Sequence, residues 1–563
     1  MNYKNEIKDI LVDLNIGLES EEIYNTIETP PNKEMGDFAF PTFKLAKTLR
    51  KAPNMIAQDL VGQIKSDLFT EIKAVGPYIN FYLDQDKFNE VVLTEVFKEK
   101  DKYGSSDLGQ GKTITIDYSS TNIAKPFHIG HIRSTVIGDS LKRILKFLSY
   151  DVVAINYLGD YGTQFGVLLS AYKKWGNEEK VNADPIKELL KLYVKYTEEA
   201  EKNTELMDEA RAWFKKLEDK DEEALKVWSW FKKISLKEFN RVYDLLEIDF
   251  DSYDGEYYHS QFVDEVVKEL KDKNLLVESE GATVIEMGEE EPPAIILKKD
   301  GSSTYITRDI ATALYRKKHY DFYKNIYVVA TQQNLHFRTL KEILGKMGYE
   351  WEKDIDHVQF GMVSLKDGTM STRKGKVVFL EDVLNKAIDK TKDIIEERNP
   401  DLENKDLIAK QIGIGAVKFQ ELFNTRIKDY VFDWDQVLNF EGETGPYVQY
   451  AHARANQILE RLGLEIDDQV DFSLLKEKQE IDLIKLIYNT PEVILSAKDK
   501  LEPSVITRHV TDLAQAFNSF YNNIHILNSE EDIKKARALL VYAVKINIKN
   551  LLYLLGIHAP DKM

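Results

Sequence analysis

Two histidines within one turn carry the strongest chemical signal in this sequence: His128-Ile129-Gly130-His131. They follow a short apolar run, TITID (113–117), and open a segment with helical spacing. A strand, a loop and then a helix N-terminus is the usual way to hold a nucleotide phosphate, because unpaired backbone N–H groups and the helix dipole face the anion. Gly130 lets a nucleotide approach the backbone. Imidazole donors beside it can stabilise charge that develops on an α-phosphate during displacement. Taken alone, an H-x-G-H pair reads equally well as a surface pair or as core filler.

The elements that must position this turn are legible around it. A second strand at DVVAINYLG (151–159) completes a β–loop–α–β unit. Residues 167–250 are helical and highly charged and read as an insertion; their charge runs read as solvated helix faces. Strand-like runs return at AIILKKD (294–300), NIYVVAT (325–331) and VQFGMVSL (358–365), alternating with helices as the second half of a parallel sheet should. Residues 1–110 read as a separate α/β module, with helical spacing at Ile7, Ile10, Leu11 and Leu14 and a second helix around 41–49. In that module AVGPYINFYL (74–83) reads as a strand after a Gly-Pro turn, and KYGSSDLGQGK (102–112) as a linker. From 381 onward the pattern is helical. The expected architecture is multidomain α/β: an N-terminal additional domain (1–110), a Rossmann-like parallel-sheet domain (111–380) with a helical insertion at about 167–293, a connecting helical segment (381–440) and a C-terminal all-α bundle (441–563).

Composition narrows the field. The 563 residues are 43% hydrophobic and 30% charged, ordinary for a globular chain. There is no cysteine, which excludes disulfides and thiolate metal sites. The start is charged and lacks the apolar core of a signal peptide, and no stretch reaches the roughly 20 apolar residues of a membrane span. The expectation is a cytoplasmic chain with no membrane partner. A net charge of −19 argues mildly against a nucleic-acid partner, so any RNA contact must use local basic and aromatic patches.

The wider run SSTNIAKPFHIGHIRST (119–135) resembles the HIGH signature of class I aminoacyl-tRNA synthetases, in its arginine-specific version. The resemblance spans the chain. GDFAF (36–40) and AVGPYINFYL are similar to the N-terminal domain of bacterial arginyl-tRNA synthetases. NYLGDYGTQFG (156–166), TYITRDIATALYR (304–316) and VVATQQNLHF (328–337) look like their catalytic blocks. GETGPYVQYAHARANQIL (442–459) and GIHAPDKM (556–563) resemble their anticodon-binding bundle and terminus. The second class I signature, the lysine-bearing KMSKS loop, departs from its pattern: it reads TMSTRKG (369–375). Thr369 replaces the first lysine and Arg373 the second, followed by Lys374.

The resemblance implies a reaction and its residues. Arginine would be activated with ATP to arginyl-adenylate and passed to the 2′-hydroxyl of the terminal adenosine of tRNA(Arg), by a chain acting as a monomer. The HIGH segment comprises Asn122, Ile123, Ala124, Lys125, Pro126, Phe127, His128, Ile129, Gly130 and His131. His128, His131, Lys125, Arg373 and Lys374 would carry catalysis by positioning and charge stabilisation, with Lys125 standing in for the missing lysine. ATP would meet His128, Gly130, His131, Met362, Val363, Met370 and Ser371. Arginine would meet Asp117, Ser119, Asn122, Tyr305, Asp309 and Gln333. Tyr305 and Asp309 are four apart and share a helix face, so a carboxylate could grip the guanidinium beside an aromatic wall. Tyr78, Asn80 and Met563 would contact tRNA, the first two at the D-loop. Mg²⁺ would arrive with ATP, and no structural metal is expected. Rival readings are another class I synthetase, a small-molecule nucleotidylyltransferase, or a non-enzymatic tRNA-binding relative. The missing cysteines, the two extra terminal regions and the intact His128, Gly130 and His131 weigh against them in turn.

Overall fold

The computed structural model describes residues 2–30, 32, 35–288, 291–365 and 378–563. The chain forms two compact units. One comprises Met1–Tyr103, Ala455–Asn489 and Gln515–Asn547; the other comprises Gly104–Arg454, Thr490–Ala514 and Ile548–Met563.

In the first unit, β1 (Phe38–Pro41), β2 (Phe69–Val75) and β3 (Tyr78–Leu83) form an antiparallel sheet in the order β1-β3-β2. Their aromatic and β-branched residues suit a pleated surface. The β2–β3 hairpin turns at Gly76-Pro77, where Gly76 takes φ +58°. The helix expected around 41–49 is shorter. Pro41 ends the outer strand β1, where a missing N–H is tolerated, and the helix spans only Leu45–Leu49 before Arg50 turns left-handed at φ +52°. Tyr3 donates its backbone N–H to the Tyr488 hydroxyl (2.8 Å), and Lys485 pairs with Asp37 (2.5 Å).

The second unit is built on a parallel sheet. β4 (Thr113–Asp117) and β5 (Asp151–Ile155) pair in parallel, with Ile114 and Ile116 buried. An insertion of helices follows, including Thr163–Trp175, Pro185–Lys202, Glu205–Glu218 and Glu222–Leu246. It is not wholly helical. It closes on a separate antiparallel sheet of β6 (Val277–Ser279), β7 (Ala282–Ile285) and β8 (Ala294–Leu297). The run at 294–300 therefore does not belong to the parallel sheet: a short apolar run fixes a strand but not its neighbours. The parallel sheet resumes with β9 (Lys324–Ala330) and β10 (Ile355–Phe360), in the order β10-β9-β4-β5. The expected strand at 358–365 also divides. Val363–Leu365 (β11) leaves the sheet to pair with Tyr430–Phe432 (β12), a strand within a segment expected to be helical.

Two helices complete the frame around the end of β4. Ile132–Phe147 is buried along most of its length and packs close to Tyr118 at Gly138. Tyr305–Tyr320 buries Ile306, Ile310 and Ala313 against Leu340, Ile343 and Leu344 of Asn334–Lys346. That stripe leaves Tyr305 and Asp309 on its open side.

The C-terminal region is all helical, with Gly445–Leu462, Lys478–Lys500, Ser504–Asn523 and Glu531–Leu554. The end of the last helix and the residues after it belong to the second unit. The Ser140 hydroxyl donates to the Leu554 carbonyl (2.9 Å), Lys418 to the Leu246 and Gly556 carbonyls (2.5 and 2.7 Å), and Gln449 to the His558 carbonyl (2.8 Å). No helix among the described residues is long and apolar enough to cross a membrane.

Two helical glycines separate close packing from propensity. A Cβ at Gly138 would fall 2.1 Å from the Tyr118 ring, whereas one at Gly345 meets only Glu352 Cγ at 3.7 Å. Gly138→Ala should cost about 1–3 kcal/mol or more in chemical denaturation. Gly345→Ala should be neutral or stabilise by up to about 1 kcal/mol. Equal melting curves for the two variants would contradict the close approach at Tyr118.

Candidate active site

After β4 the chain enters a loop held in unusual backbone. Ser119, Ser120 and Ala124 all take positive φ (+70°, +47° and +59°). Left-handed non-glycine residues cost roughly 1–2 kcal/mol each, so neighbours must hold them. The Ser134 hydroxyl accepts the Ser119 N–H (2.9 Å), and the Ser235 hydroxyl accepts the Ala124 N–H (3.0 Å).

The loop ends in the histidine turn, Ile129–His131, which leads directly into Ile132–Phe147. The two imidazoles cap the turn reciprocally. His128 Nδ1 accepts the Gly130 N–H (3.1 Å), and His131 Nδ1 accepts the His128 N–H (3.2 Å). The Nδ1 of His128 is used as an acceptor, which puts its ring proton on Nε2, whereas His131 Nδ1 also lies 3.3 Å from the His128 carbonyl. Burial pulls His128 down to about 4 and His131 to about 3, with the neighbouring His128 adding to the latter. Near neutral pH both rings are therefore uncharged N–H donors. The turn is also tied to residues downstream of 377: Ile129 N–H donates to the Val378 carbonyl (3.1 Å), and Leu380 N–H to the Phe127 carbonyl (2.9 Å). Lys125 acts electrostatically on both His131 and Glu256.

The residues expected to meet arginine divide into groups. Asp117 is buried and already paired: Arg316 Nη2 lies 2.7 Å from Oδ2, and the Ser120 hydroxyl donates to Oδ1 (2.8 Å). The Tyr157 and Tyr327 rings lie 5.5 and 5.1 Å from the Arg316 guanidinium. Ser119 turns inward, its hydroxyl 2.8 Å from the Tyr243 hydroxyl and 2.9 Å from that of Thr135. The hydroxyl beside Asp117 is thus Ser120's, because the left-handed backbone at 119 and 120 breaks strand alternation. Asn122 lies over Gly159, where a Cβ would fall 2.3 Å from its Oδ1. Asp309 sits half-buried with Oδ2 at 2.5 Å from His336 Nε2. Tyr305 is 63% exposed, and Gln333 is exposed in the Thr331–Gln333 turn.

Arg316, Ser120, Glu256 and His336 escaped the sequence reading. Arg316 lies seven residues after Asp309, two helical turns on, which was a usable signal. Glu256 opens the Glu256–Ser260 helix, with Oε2 at 3.7 Å from Arg308 Nε. Burial pushes its carboxyl up to about 8, against the pull of Arg308. Nothing local in the sequence marked it.

Of the residues expected to meet ATP, Val363 is buried at the start of β11, while Met362 is 47% exposed and donates its N–H to Asp429 (2.6 Å). Arg133, buried just after the histidine turn, donates to the Gly361 and Lys428 carbonyls (3.1 and 2.6 Å) and so ties this strand to the turn's helix. Met370, Ser371, Arg373 and Lys374 lie outside the described residues. In the first unit, Tyr78 meets the half-exposed Phe43 edge-to-face at 5.7 Å, and Asn80 is only 2% exposed. Met563 packs against the cluster of Ile395, Leu402, Ile408 and Ile412.

Residues 92–434 match the family described as tRNA synthetases class I (R), catalytic domain. Residues 448–563 match the DALR anticodon binding domain, and residues 1–83 the arginyl tRNA synthetase N terminal domain. The parallel sheet with its histidine turn at the end of β4 is thus that of a class I aminoacyl-tRNA synthetase. The arginine–tRNA ligases of Halothermothrix orenii and Clostridioides difficile are each 53% identical over 100% of both chains. The arginyl-tRNA synthetase structure from Thermus thermophilus superposes with a TM-score of 0.82 at 25% identity, covering 100% of this chain and 99% of that one. The chain belongs to the arginyl-tRNA synthetase family.

The Asp117–Arg316 pair yields a stability prediction. Arg316→Met should leave a buried carboxylate uncompensated and cost about 3–5 kcal/mol in chemical denaturation. Adding Asp117→Asn should recover much of that loss, since a neutral amide needs no counter-ion. A single variant as stable as wild type would show that the pair does not hold the end of β4.

Proposed function

We propose that this chain activates L-arginine with ATP and transfers it to the 2′-hydroxyl of tRNA(Arg), with the residues above in the following roles. The observation that carries the reading is the pair of neutral imidazoles at a helix N-terminus, each keeping one ring N–H as a donor. Such donors stabilise charge developing on the α-phosphate without adding positive charge beside a cationic substrate. Lys125, with Arg373 and Lys374 of the second signature loop, supplies the cationic share. Gly130, Met362, Val363, Met370 and Ser371 bind ATP. Mg²⁺ reaches the site on the triphosphate, whose oxygens serve as its ligands.

Asp309 accepts the guanidinium, Tyr305 walls it and Gln333 lines the mouth. Asn122 holds the amino or carboxylate group of arginine. Ser120 replaces Ser119 in this set, and Asp117 acts through Arg316 rather than on the substrate, because its oxygens are already engaged. In the N-terminal sheet, Tyr78 with Phe43 forms an aromatic surface for an unpaired base of the D-loop, backed by Asn80. The C-terminal helices read the anticodon loop, with Met563 at their edge. The chain works in the cytoplasm as a monomer.

Pyrophosphate exchange should require arginine, fail with lysine, and need tRNA. Asp309→Asn should lower kcat/KM for arginine by roughly 30- to 1,000-fold, the loss of a charge-assisted pair of about 2–4 kcal/mol, with ATP binding intact. Unchanged arginine kinetics would reassign Asp309 to a structural role.

Tyr78→Ala should raise the KM for tRNA by about fivefold or more, given roughly 1–3 kcal/mol per stacked base, and leave the KM for arginine unchanged. Normal charging by a folded variant would remove the D-loop reading.

A further inference from the structure

The guanidinium acceptor proposed above already has a partner. His336, on the first turn of Asn334–Lys346, places Nε2 at 2.5 Å from Asp309 Oδ2. Both side chains are about a quarter exposed (22% and 27%), so the contact lies at the edge of the crevice rather than in the core. The reaction as read so far does not use His336.

We propose that His336 is a positioning residue for arginine recognition: it holds the Asp309 carboxylate through Nε2–H and releases its Nδ1 proton to solvent when a guanidinium takes the same carboxylate. This inference rests on the reading of Asp309 as the guanidinium acceptor. The step balances simply. Imidazolium carries protons on both nitrogens. The Nδ1–H bond breaks, the proton goes to water, and neutral imidazole keeps its Nε2–H on Asp309. One carboxylate then faces one full positive charge rather than two.

The surroundings support a change of charge here. Burial alone would lower His336, but the hydrogen bond and charge of Asp309 outweigh it and raise it above the ordinary imidazole value of 6.5. The groups that face the pair come from each neighbouring element. Asp117 and Tyr157 lie at and beyond the ends of β4 and β5, Tyr327 lies on β9, and Glu256 and His259 lie on Glu256–Ser260; all feel the charge of Asp309. His357, on β10, feels the charge of His336. On the histidine's own helix, Arg338 is paired with Glu291 (2.7 Å). His259 and His357 are both lowered, chiefly by burial, the opposite direction to His336. Glu256, pushed up to about 8, also titrates above the ordinary imidazole value. Its ionisation would also favour a cation at high pH, so the experiment must separate the two.

The sign follows directly. Below the elevated pKa of His336, arginine must expel a proton to bind, so its affinity falls as pH falls, by up to about tenfold per pH unit. Equilibrium dialysis of labelled L-arginine against the full chain, at about pH 6 and about pH 8.5, reads this. Wild type should bind about tenfold more weakly at the lower pH. His336→Gln, which keeps an N–H donor but cannot titrate, should bind within about threefold of wild type at the higher pH and lose most of the pH dependence. His336→Leu, with no donor, should bind about tenfold more weakly at the higher pH, with ATP binding and melting temperature unchanged. Glu256→Gln should keep the pH dependence. A His336→Gln profile parallel to wild type, or a dependence that vanishes only in Glu256→Gln, would overturn the inference, as would wild-type affinity in His336→Leu. Asp309→Asn tells this failure from that of the underlying reading. If it binds arginine normally, the guanidinium assignment falls. If it alone weakens binding, only the role of His336 falls.

Discussion

Asp117 and Arg316 meet at 2.7 Å at the carboxyl end of the central strand β4. Both are almost fully buried, and the other oxygen of Asp117 is taken by Ser120. The pair fixes the distance between β4 and the Tyr305–Tyr320 helix, because neither charge can leave the other without a large desolvation cost. The Ser120 hydroxyl and the Tyr157 and Tyr327 rings gather around it. The buried pair leaves no mobile charge at the end of β4.

Beyond that pair, charge is distributed sparingly. Free arginine brings a guanidinium and an ammonium, so a site that also offered two imidazolium ions would repel what it must bind. Burial together with reciprocal capping keeps His128 and His131 neutral while leaving each an N–H to donate. Around them the acidic side chains are Asp309, held by His336, and Glu256, beside Arg308. Glu256 near 8 is poised to ionise when a cation comes close, which a fully exposed carboxylate could not do.

How much of this was legible depended on distance along the chain. The histidine turn was readable because its strand, loop and helix are contiguous and its hydrogen bonds close within four residues. That Tyr305 and Asp309 share a helix face was readable from periodicity, while their candidacy came from the family resemblance. Ser119 came from the resemblance alone, and no residue type at 119 or 120 announces the left-handed backbone that brings the Ser120 hydroxyl to Asp117. Glu256 and His336 come from elements far from the histidine turn in sequence and meet the crevice only through the tertiary fold. The same limit explains β8 and β11. Their apolar residues specify extended backbone, whereas the partner strand is decided by long-range packing.

The hydrogen bond from Ser140 to the Leu554 carbonyl joins residues 414 apart, inside the unit that holds the crevice. A contact that non-local closes late in folding, and it cannot close before its second partner has been made. At roughly 5–20 residues per second, synthesis separates the two by about 20–80 s. Through that interval the Ile132–Phe147 helix lacks its final cover, and Lys418 and Gln449, made later, wait a shorter time for the same closing segment. The helix that carries the histidine turn thus reaches its final packing only once Leu554 has been made, a kinetic interval in which chaperones or aggregation compete for the partly covered surface.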